Sequence, residues 1–223
     1  MQLEAVLFDF DGTLVDTEGQ YSAFWEGIGR ECLPDIPDFA DRIKGNTLRK
    51  MYETFFSGFS QEELRVLDAR RADMERCMSF PLVPGAERFV QELRRHRIRT
   101  AVVTSSDRIK MANPLRKIPR FMGLFDAVLT AEDFRESKPS PEPYLTAAAR
   151  LGVRTDCTVI FEDAMNGLRS AFATGMLTVA LTTGNPYEAV APLSHHVISD
   201  FREMNVGLLR HWLEEFQGTL SEK

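Results

Sequence analysis

The chain has 223 residues, of which 43% are hydrophobic, so it is long enough for one large domain or a domain with an insertion. Its formal net charge of −6 argues against a nucleic-acid surface, and no apolar run approaches the roughly 18 residues that span a bilayer. The three cysteines are well separated and form neither a zinc motif nor an even disulfide framework, which favours a cytoplasmic protein.

Short apolar and β-branched runs recur along the chain. They predict strands at residues 5–8, 100–104, 127–129, 158–161 and 177–181, with a short edge strand at 197–198. Helical patterns separate these runs, at residues 86–95, 141–151 and 167–174 among others. Strands that alternate with helices predict an α/β fold, in which a Rossmann-like parallel sheet carries helices on both faces.

Residues 17–80 differ from the rest, because they contain no convincing strand and much helical patterning. They follow directly after the first predicted strand and its acidic loop. We therefore expect an α/β core domain formed by residues 1–16 and 81–223, with an inserted α-helical cap domain at residues 17–80.

The first predicted strand continues into the acidic segment Asp9-Phe10-Asp11-Gly12-Thr13-Leu14-Val15-Asp16. Because side chains alternate along a strand, Asp9 and Asp11 are expected to point the same way. Two adjacent carboxylates repel each other, so one tends to stay protonated unless a divalent cation is bound. Two such carboxylates suit combined nucleophilic and acid/base chemistry. Taken alone, two aspartates at this spacing often belong only to a turn without catalytic function.

Three later segments stand at predicted strand ends or helix starts, where ligands of parallel sheets bind. The hydroxyl segment 104–106 follows the second core strand and can bind phosphate oxygens. Lys138 precedes a helix and can balance carboxylate and phosphoryl charge. Glu162 and Asp163 end another strand and can supply oxygen ligands to a hard cation. Each segment alone has a purely structural explanation. Their occurrence together, each at a predicted strand end or helix start, indicates a functional site.

With these four segments in order, the sequence resembles the haloacid dehalogenase superfamily, and most of all its β-phosphoglucomutase-like branch with an α-helical cap. The resemblance implies that Asp9 is the nucleophile that forms an aspartyl-phosphate, and that Asp11 is the general acid and base. It implies Mg²⁺ as cofactor, held by the Asp9 carboxylate, the Asp11 backbone carbonyl and Asp163. Glu162 would bind the metal through water or support the site.

The resemblance also implies how substrate is held. Thr104, the backbone of Ser105 and Lys138 would bind the transferring phosphoryl group. In the cap, Lys44 and Arg49 correspond to a substrate-contacting loop, although the spacing between them is one residue longer than in β-phosphoglucomutases. The expected function is Mg²⁺-dependent hydrolysis of a small phosphorylated metabolite, such as a sugar phosphate, by a monomer without a nucleic-acid or membrane partner.

Several alternatives stay open. A β-phosphoglucomutase-type mutase is less favoured, because Tyr21 stands where mutases of this branch carry a histidine. A phosphonate hydrolase needs a cap lysine, for which Lys44 and Lys50 are the candidates. A phospho-accepting receiver-like signalling domain uses similar residues but is far shorter, and the complete set of polar residues argues against a catalytically silent binding module.

Overall fold

The computed structural model describes residues 2–43 and 48–221, and within these ranges six strands form one parallel sheet in the order β3-β2-β1-β4-β5-β6. The strands are β1 Ala5–Phe8, β2 Arg99–Val103, β3 Ala127–Leu129, β4 Thr158–Glu162, β5 Leu177–Leu181 and β6 His196–Ile198. Each lies within one residue of its predicted bounds. The predicted Rossmann-like α/β fold is therefore confirmed.

The described residues contain eleven α-helices, five of them between β1 and β2. The first four are α1 Glu18–Cys32, α2 Phe39–Ile43, α3 Leu48–Phe55 and α4 Gln61–Cys77. The others are α5 Ala86–Arg95, α6 Arg108–Lys117, α7 Pro119–Met122, α8 Glu142–Leu151, α9 Met165–Ala173, α10 Tyr187–Val190 and α11 Val206–Ser221.

Both faces of the central strands carry apolar side chains, which is why helices cover both faces. On one face, Leu7 of β1 and Ile160 of β4 belong to a buried cluster with Tyr144 and Ala147 of α8. Alternation along each strand sends the next residue to the opposite face. That alternation explains the second cluster, which is aromatic.

The second cluster is built from phenylalanines. The rings of Phe8 and Phe161 stack with centroids 5.3 Å apart, and Phe89 of α5 lies 5.7 Å from the ring of Phe201. All four side chains are fully buried. Aromatic pairs of this kind add about 0.5–1.5 kcal/mol each beyond area burial. The ends of β1 and β4 are thus fixed by dense packing directly beneath the polar residues that follow them.

The described residues divide into two compact units. The α/β unit comprises the residues up to Asp16 and those from Phe80 onward, and the helical unit is Thr17–Ser79. The helical unit has an apolar core of its own, in which Phe39 contacts Trp25 and Phe56. The action of this unit as a substrate-covering cap stays a prediction.

The two chain segments that bracket the helical unit are joined to each other within the α/β unit. The backbone N–H of Asp16 donates to the carbonyl of Pro81 over 2.8 Å, and that of Val83 donates to the carbonyl of Leu14 over 3.0 Å. Val15 and Leu82 form an antiparallel bridge between these two bonds. We call this short pairing the neck.

No helix in the described part of the chain is long and apolar enough to cross a membrane. The cysteines Cys32, Cys77 and Cys157 are all free thiols.

Candidate active site

The site residues predicted in the α/β core gather at the carboxyl edge of the sheet, because β1 lies between β2 and β4 and all three strands run parallel. Asp9 follows β1, Thr104 follows β2, and Glu162 is the last residue of β4. Ligands of open parallel sheets bind at this edge. Residues that lie far apart in sequence are therefore neighbours in the fold.

Lys138 is the centre of a buried network. Its Nζ donates to Asp9 Oδ1 over 2.6 Å, to Glu162 Oε1 over 2.8 Å and to the carbonyl of Val103 over 3.0 Å. The Lys138 side chain is only 5% exposed. Burial opposes its positive charge, but the two carboxylates outweigh that effect and raise the pKa of Lys138. It is therefore a fixed cation at the floor of the site.

Among the described residues, Lys138 is the cation that contacts a cluster of three carboxylates, which leaves an excess of negative charge. Burial raises the pKa of Asp9 to about 7, against the opposing effect of Lys138. Burial, together with the charges of Glu162 and Asp9, holds the pKa of Asp163 well above its usual range. A further positive charge would relieve the cost of ionising these groups.

The donor set fits a hard cation. Carboxylate oxygens of Asp9, Glu162 and Asp163 lie within 4.8 Å of one another, and all three residues are buried. Oxygen donors of this kind suit Mg²⁺ or Ca²⁺. The hydroxyl of Thr13 donates to Asp163 Oδ1 over 2.9 Å, which orients that carboxylate toward the cluster.

Glycines make room for these carboxylates. A Cβ on Gly167 would overlap Glu162 Oε1, and a Cβ on Gly12 would overlap Asp163 Oδ2. Gly12 also has a φ of +83°, a left-handed conformation that favours glycine. Gly184, after β5, would place a Cβ 2.6 Å from the same Asp163 oxygen. The backbone at these glycines therefore lies so close to the Glu162 and Asp163 carboxylates that it leaves no space for a Cβ.

Tyr144 was missed by the sequence analysis, although it lies in a predicted helix. Its hydroxyl donates to Glu162 Oε1 over 3.1 Å, and its ring centroid lies 4.8 Å from Lys138 Nζ. Burial and the nearby carboxylate charges raise the pKa of Tyr144, so its hydroxyl stays protonated as a donor. Helical periodicity marks Tyr144 as apolar core and gives no signal for this polar contact.

The loop after β5 was also missed. Asn185 Nδ2 donates to the backbone carbonyl of Asp163 over 2.9 Å, and the hydroxyl of Thr183 donates to the carbonyl of Gly12. The loop thus ties the segments after β1 and β4 together. A usable sequence signal was present, because Gly184-Asn185-Pro186 is a turn signature at the end of a predicted strand.

Asp11 lies beyond the last residue of β1. That strand ends at Phe8, so neither Asp9 nor Asp11 belongs to it, and the expectation that they point the same way stays a prediction. Asp11 Oδ2 accepts from Lys110 Nζ over 2.6 Å and from Ser106 Oγ over 3.1 Å. Within the described residues, the acidic cluster does not include the Asp11 carboxylate. The two aspartates are held by different lysines.

The predicted phosphate-binding segment lies beside these groups in the α/β unit. Thr104 is buried, and its Oγ1 accepts from the backbone N–H of Ser106 over 3.1 Å. Ser105 is exposed. Asp107 then begins α6 as its N-cap, since its side chain accepts from the backbone N–H of Lys110 over 2.7 Å.

The predicted cap contacts are not described. Lys44 lies outside the described residues, and only the backbone of Arg49 is described, in α3. Tyr21 Oη donates to Glu75 Oε1 over 3.2 Å, and Arg71 Nη1 donates to the same oxygen over 2.8 Å. Tyr21 therefore takes part in a polar network inside the helical unit.

Comparison with known proteins places this chain among hydrolases. Residues 6–181 match the sequence profile of the haloacid dehalogenase-like hydrolases. The validoxylamine A 7'-phosphate phosphatase of Streptomyces hygroscopicus subsp. limoneus is 31% identical over 194 residues, which cover 84% of this chain and 90% of that protein. The β-phosphoglucomutase of Bacillus subtilis is 30% identical over 199 residues, which cover 82% of this chain and 85% of that protein.

The fold has a parallel in a solved structure. A family IA, variant 3 hydrolase from Entamoeba histolytica superposes with a TM-score of 0.82 at 22% identity, covering 95% of this chain and 99% of that one. The chain belongs to the haloacid dehalogenase-like hydrolase family. The predictions of this family and of an enzyme are confirmed, and the receiver-domain alternative, which belongs to a different family, is set aside.

Proposed function

We propose that this protein is a Mg²⁺-dependent phosphatase that hydrolyses a small phosphomonoester through an aspartyl-phosphate on Asp9. The observation that carries the proposal is the buried Asp9 carboxylate, hydrogen-bonded to Lys138 within the acidic cluster, while Asp11, two residues later, is hydrogen-bonded to Lys110. The phosphatase named among its relatives supports the same chemistry.

In the first step, an Asp9 carboxylate oxygen attacks phosphorus, and the bond from phosphorus to the ester oxygen breaks. Asp11, entering this step protonated, gives its proton to the departing alcohol oxygen. In the second step, Asp11 removes a proton from water as the water oxygen attacks phosphorus. The bond from phosphorus to Asp9 then breaks, and inorganic phosphate leaves with Asp9 restored as a carboxylate.

Positioning and charge compensation carry most of the burden in phosphoryl transfer. Lys138, the Thr104 hydroxyl and the Ser105 backbone N–H would bind the phosphoryl oxygens. Mg²⁺ would be held by the carboxylates of Asp9 and Asp163 and by the Asp11 carbonyl, with Glu162 bound through water or in support. Its chemical contribution is to neutralise negative charge on the carboxylates and the phosphoryl group.

The helical unit would act as the cap that selects substrate, with Lys44 and Arg49 as its candidate contacts. We favour a sugar phosphate or similar metabolite as substrate. A sugar phosphomutase is the second candidate, because a relative named β-phosphoglucomutase is 30% identical. Tyr21, at the position of the mutase histidine, favours net hydrolysis instead.

The test is a screen of phosphorylated metabolites for release of inorganic phosphate, with Mg²⁺ and with excess chelator. We expect turnover of at least one sugar or polyol phosphate with Mg²⁺ and loss of turnover with chelator. Full activity in chelator would overturn the metal proposal. Conversion of β-glucose 1-phosphate to glucose 6-phosphate without phosphate release would favour the mutase.

A monomeric state and a cytoplasmic location complete the proposal. The free state of Cys32, Cys77 and Cys157 supports a reducing compartment. Light scattering coupled to size-exclusion chromatography tests the monomer, for which a dimer mass is the contrary result.

A further inference from the structure

A second lysine, Lys110, contacts the site through Asp11. Lys110 Nζ and Ser106 Oγ both donate to the same oxygen, Asp11 Oδ2, over 2.6 and 3.1 Å. The Lys110 side chain is 17% exposed and that of Asp11 is 26% exposed. This pair is distinct from the buried contact between Lys138 and Asp9.

The segment that supplies both donors is fixed at several points. The Ser106 backbone N–H donates to Thr104 Oγ1, and the Lys110 backbone N–H donates to the N-cap carboxylate of Asp107. Next to them, the backbone N–H of Arg108 donates to Glu132 Oε1 over 3.1 Å. Lysine side chains are usually mobile, but Lys110 lies in the first turn of α6, whose backbone is held by these hydrogen bonds.

The Asp11 carboxylate must have a fixed orientation if it is to transfer a proton. Asp11 lies beyond the end of β1, in an isolated bridge with Val15 and directly before Gly12, whose φ is +83°. A group that transfers a proton must lie within hydrogen-bond reach of the reacting oxygen. A displacement of 1 Å can cost about 100-fold in rate. Two donors on one oxygen restrict the Asp11 rotamer directly.

We propose that Lys110, together with Ser106, is a positioning residue that holds the Asp11 carboxylate for proton transfer. This inference rests on the proposed phosphatase function. Lys110 would act through Asp11, whereas Lys138 would bind the phosphoryl group itself. The inference therefore separates the roles of the two lysines, which the sequence motifs do not distinguish.

The test uses leaving groups that differ in their need for a proton. Glucose 6-phosphate releases an alcohol oxygen that must be protonated, whereas p-nitrophenyl phosphate releases a stable phenolate. The ratio kcat/KM reports steps up to the first phosphoryl transfer. We expect Lys110→Met to lower kcat/KM for glucose 6-phosphate by about 10- to 100-fold. The value for p-nitrophenyl phosphate should change little.

Two further variants sharpen the test. Lys110→Arg keeps a cation that can reach Asp11 and should recover most of the activity toward glucose 6-phosphate. Arg116→Met removes a positive charge from an exposed position on the same helix and should leave both substrates unaffected. Thermal unfolding of each variant checks that the fold persists.

Equal losses of kcat/KM for both substrates would overturn the inference, as would a raised KM with unchanged kcat, which indicates substrate binding instead. Crystal structures of the wild type and Lys110→Met give a readout that does not depend on turnover. An Asp11 carboxylate in the same place in both would contradict positioning. Absence of turnover with every phosphomonoester in the wild type would instead contradict the proposed function.

Discussion

Two aspartate–lysine pairs lie in the same site but in different surroundings. In the inner pair, Asp9 and Lys138, the side chains are 11% and 5% exposed, and Lys138 also contacts buried Glu162. In the outer pair, Asp11 and Lys110, they are 26% and 17% exposed. The contact distance is 2.6 Å in both pairs. We therefore expect burial, and not distance, to determine how much each pair affects the free energy of unfolding.

The comparison indicates that the two pairs contribute differently to stability and to turnover. Both residues of the inner pair are buried, and Lys138 Nζ lies over the ring of Tyr144. The outer pair is held by the start of α6 and remains accessible. We expect changes to the inner pair to alter both stability and turnover, and changes to the outer pair to alter turnover with little effect on stability.

The largest expected effect is on turnover. Asp9→Asn removes the attacking carboxylate but keeps a side chain of the same size, so phosphate release should fall by roughly 10,000-fold or more. The fold should persist, because the substitution also removes a buried charge. Phosphate release and thermal unfolding measure the two properties. Retained hydrolysis in this variant would contradict the role of Asp9 as nucleophile.

The next largest effect is a difference in unfolding free energy between variants of the inner pair and variants of the outer pair. Lys138→Met leaves Asp9 and Glu162 buried without their cation and should cost about 3–5 kcal/mol of unfolding free energy. Lys110→Met should cost at most about 1 kcal/mol, because that pair is more exposed. Urea unfolding in excess chelator measures both.

Arg116→Met serves as the matched control, since it removes a surface cation from α6. Equal destabilisation by Lys138→Met and Lys110→Met would show that burial does not distinguish the pairs.

A smaller effect tests the packing around the inner pair. Gly167→Ala brings a Cβ into Glu162 and should destabilise the protein by about 1–3 kcal/mol through overpacking. Gly27→Ala, within α1, meets no atom within 4 Å and should stabilise by about 0.5–1 kcal/mol through helix propensity. Chemical unfolding of both variants gives the sign, and stabilisation by Gly167→Ala would refute close packing at Glu162.

The smallest expected effect concerns a titratable group outside both pairs. His195 Nδ1 accepts from the Thr178 backbone N–H over 3.0 Å, and burial lowers the pKa of His195. The unfolded state then binds more protons, so this stability is present above about pH 6.5 and is lost as pH falls through the folded-state pKa.

His195→Gln should reduce the slope of unfolding free energy against pH between about 5 and 7, because glutamine does not titrate there. This slope is a baseline against which pH effects at the two pairs can be compared. An unchanged slope would show that His195 contributes nothing to it.

The fold was predictable from the sequence for a simple reason. Fully buried parallel strands read as continuous apolar runs, and β1 and β5 were predicted with their observed bounds. The convergence of Asp9, Lys138, Glu162 and Asp163 was also predictable, because each residue follows or ends a buried strand or precedes a helix in an α/β fold.

The hydrogen-bond partners of the site carboxylates were not predictable in the same way. Lys110 lies 99 residues from Asp11, and Tyr144 lies 18 residues from Glu162, so neither contact follows from local periodicity. The partners of Asp11 do not follow from strand alternation, because β1 ends at Phe8. Contacts beyond the last strand residue depend on turn geometry and tertiary packing, which residue types alone do not encode.

The neck has a consequence for how this chain can be rebuilt. Since Leu14 and Asp16 are bonded to Val83 and Pro81, the chain leaves the α/β unit and returns to it at adjacent points. Among the residues that the structure describes, β1 pairs only with β2 and β4 of that same unit. Evolution or an engineer can therefore exchange the intervening segment for a foreign one, as a cassette, while the sheet and its polar edge keep their connectivity.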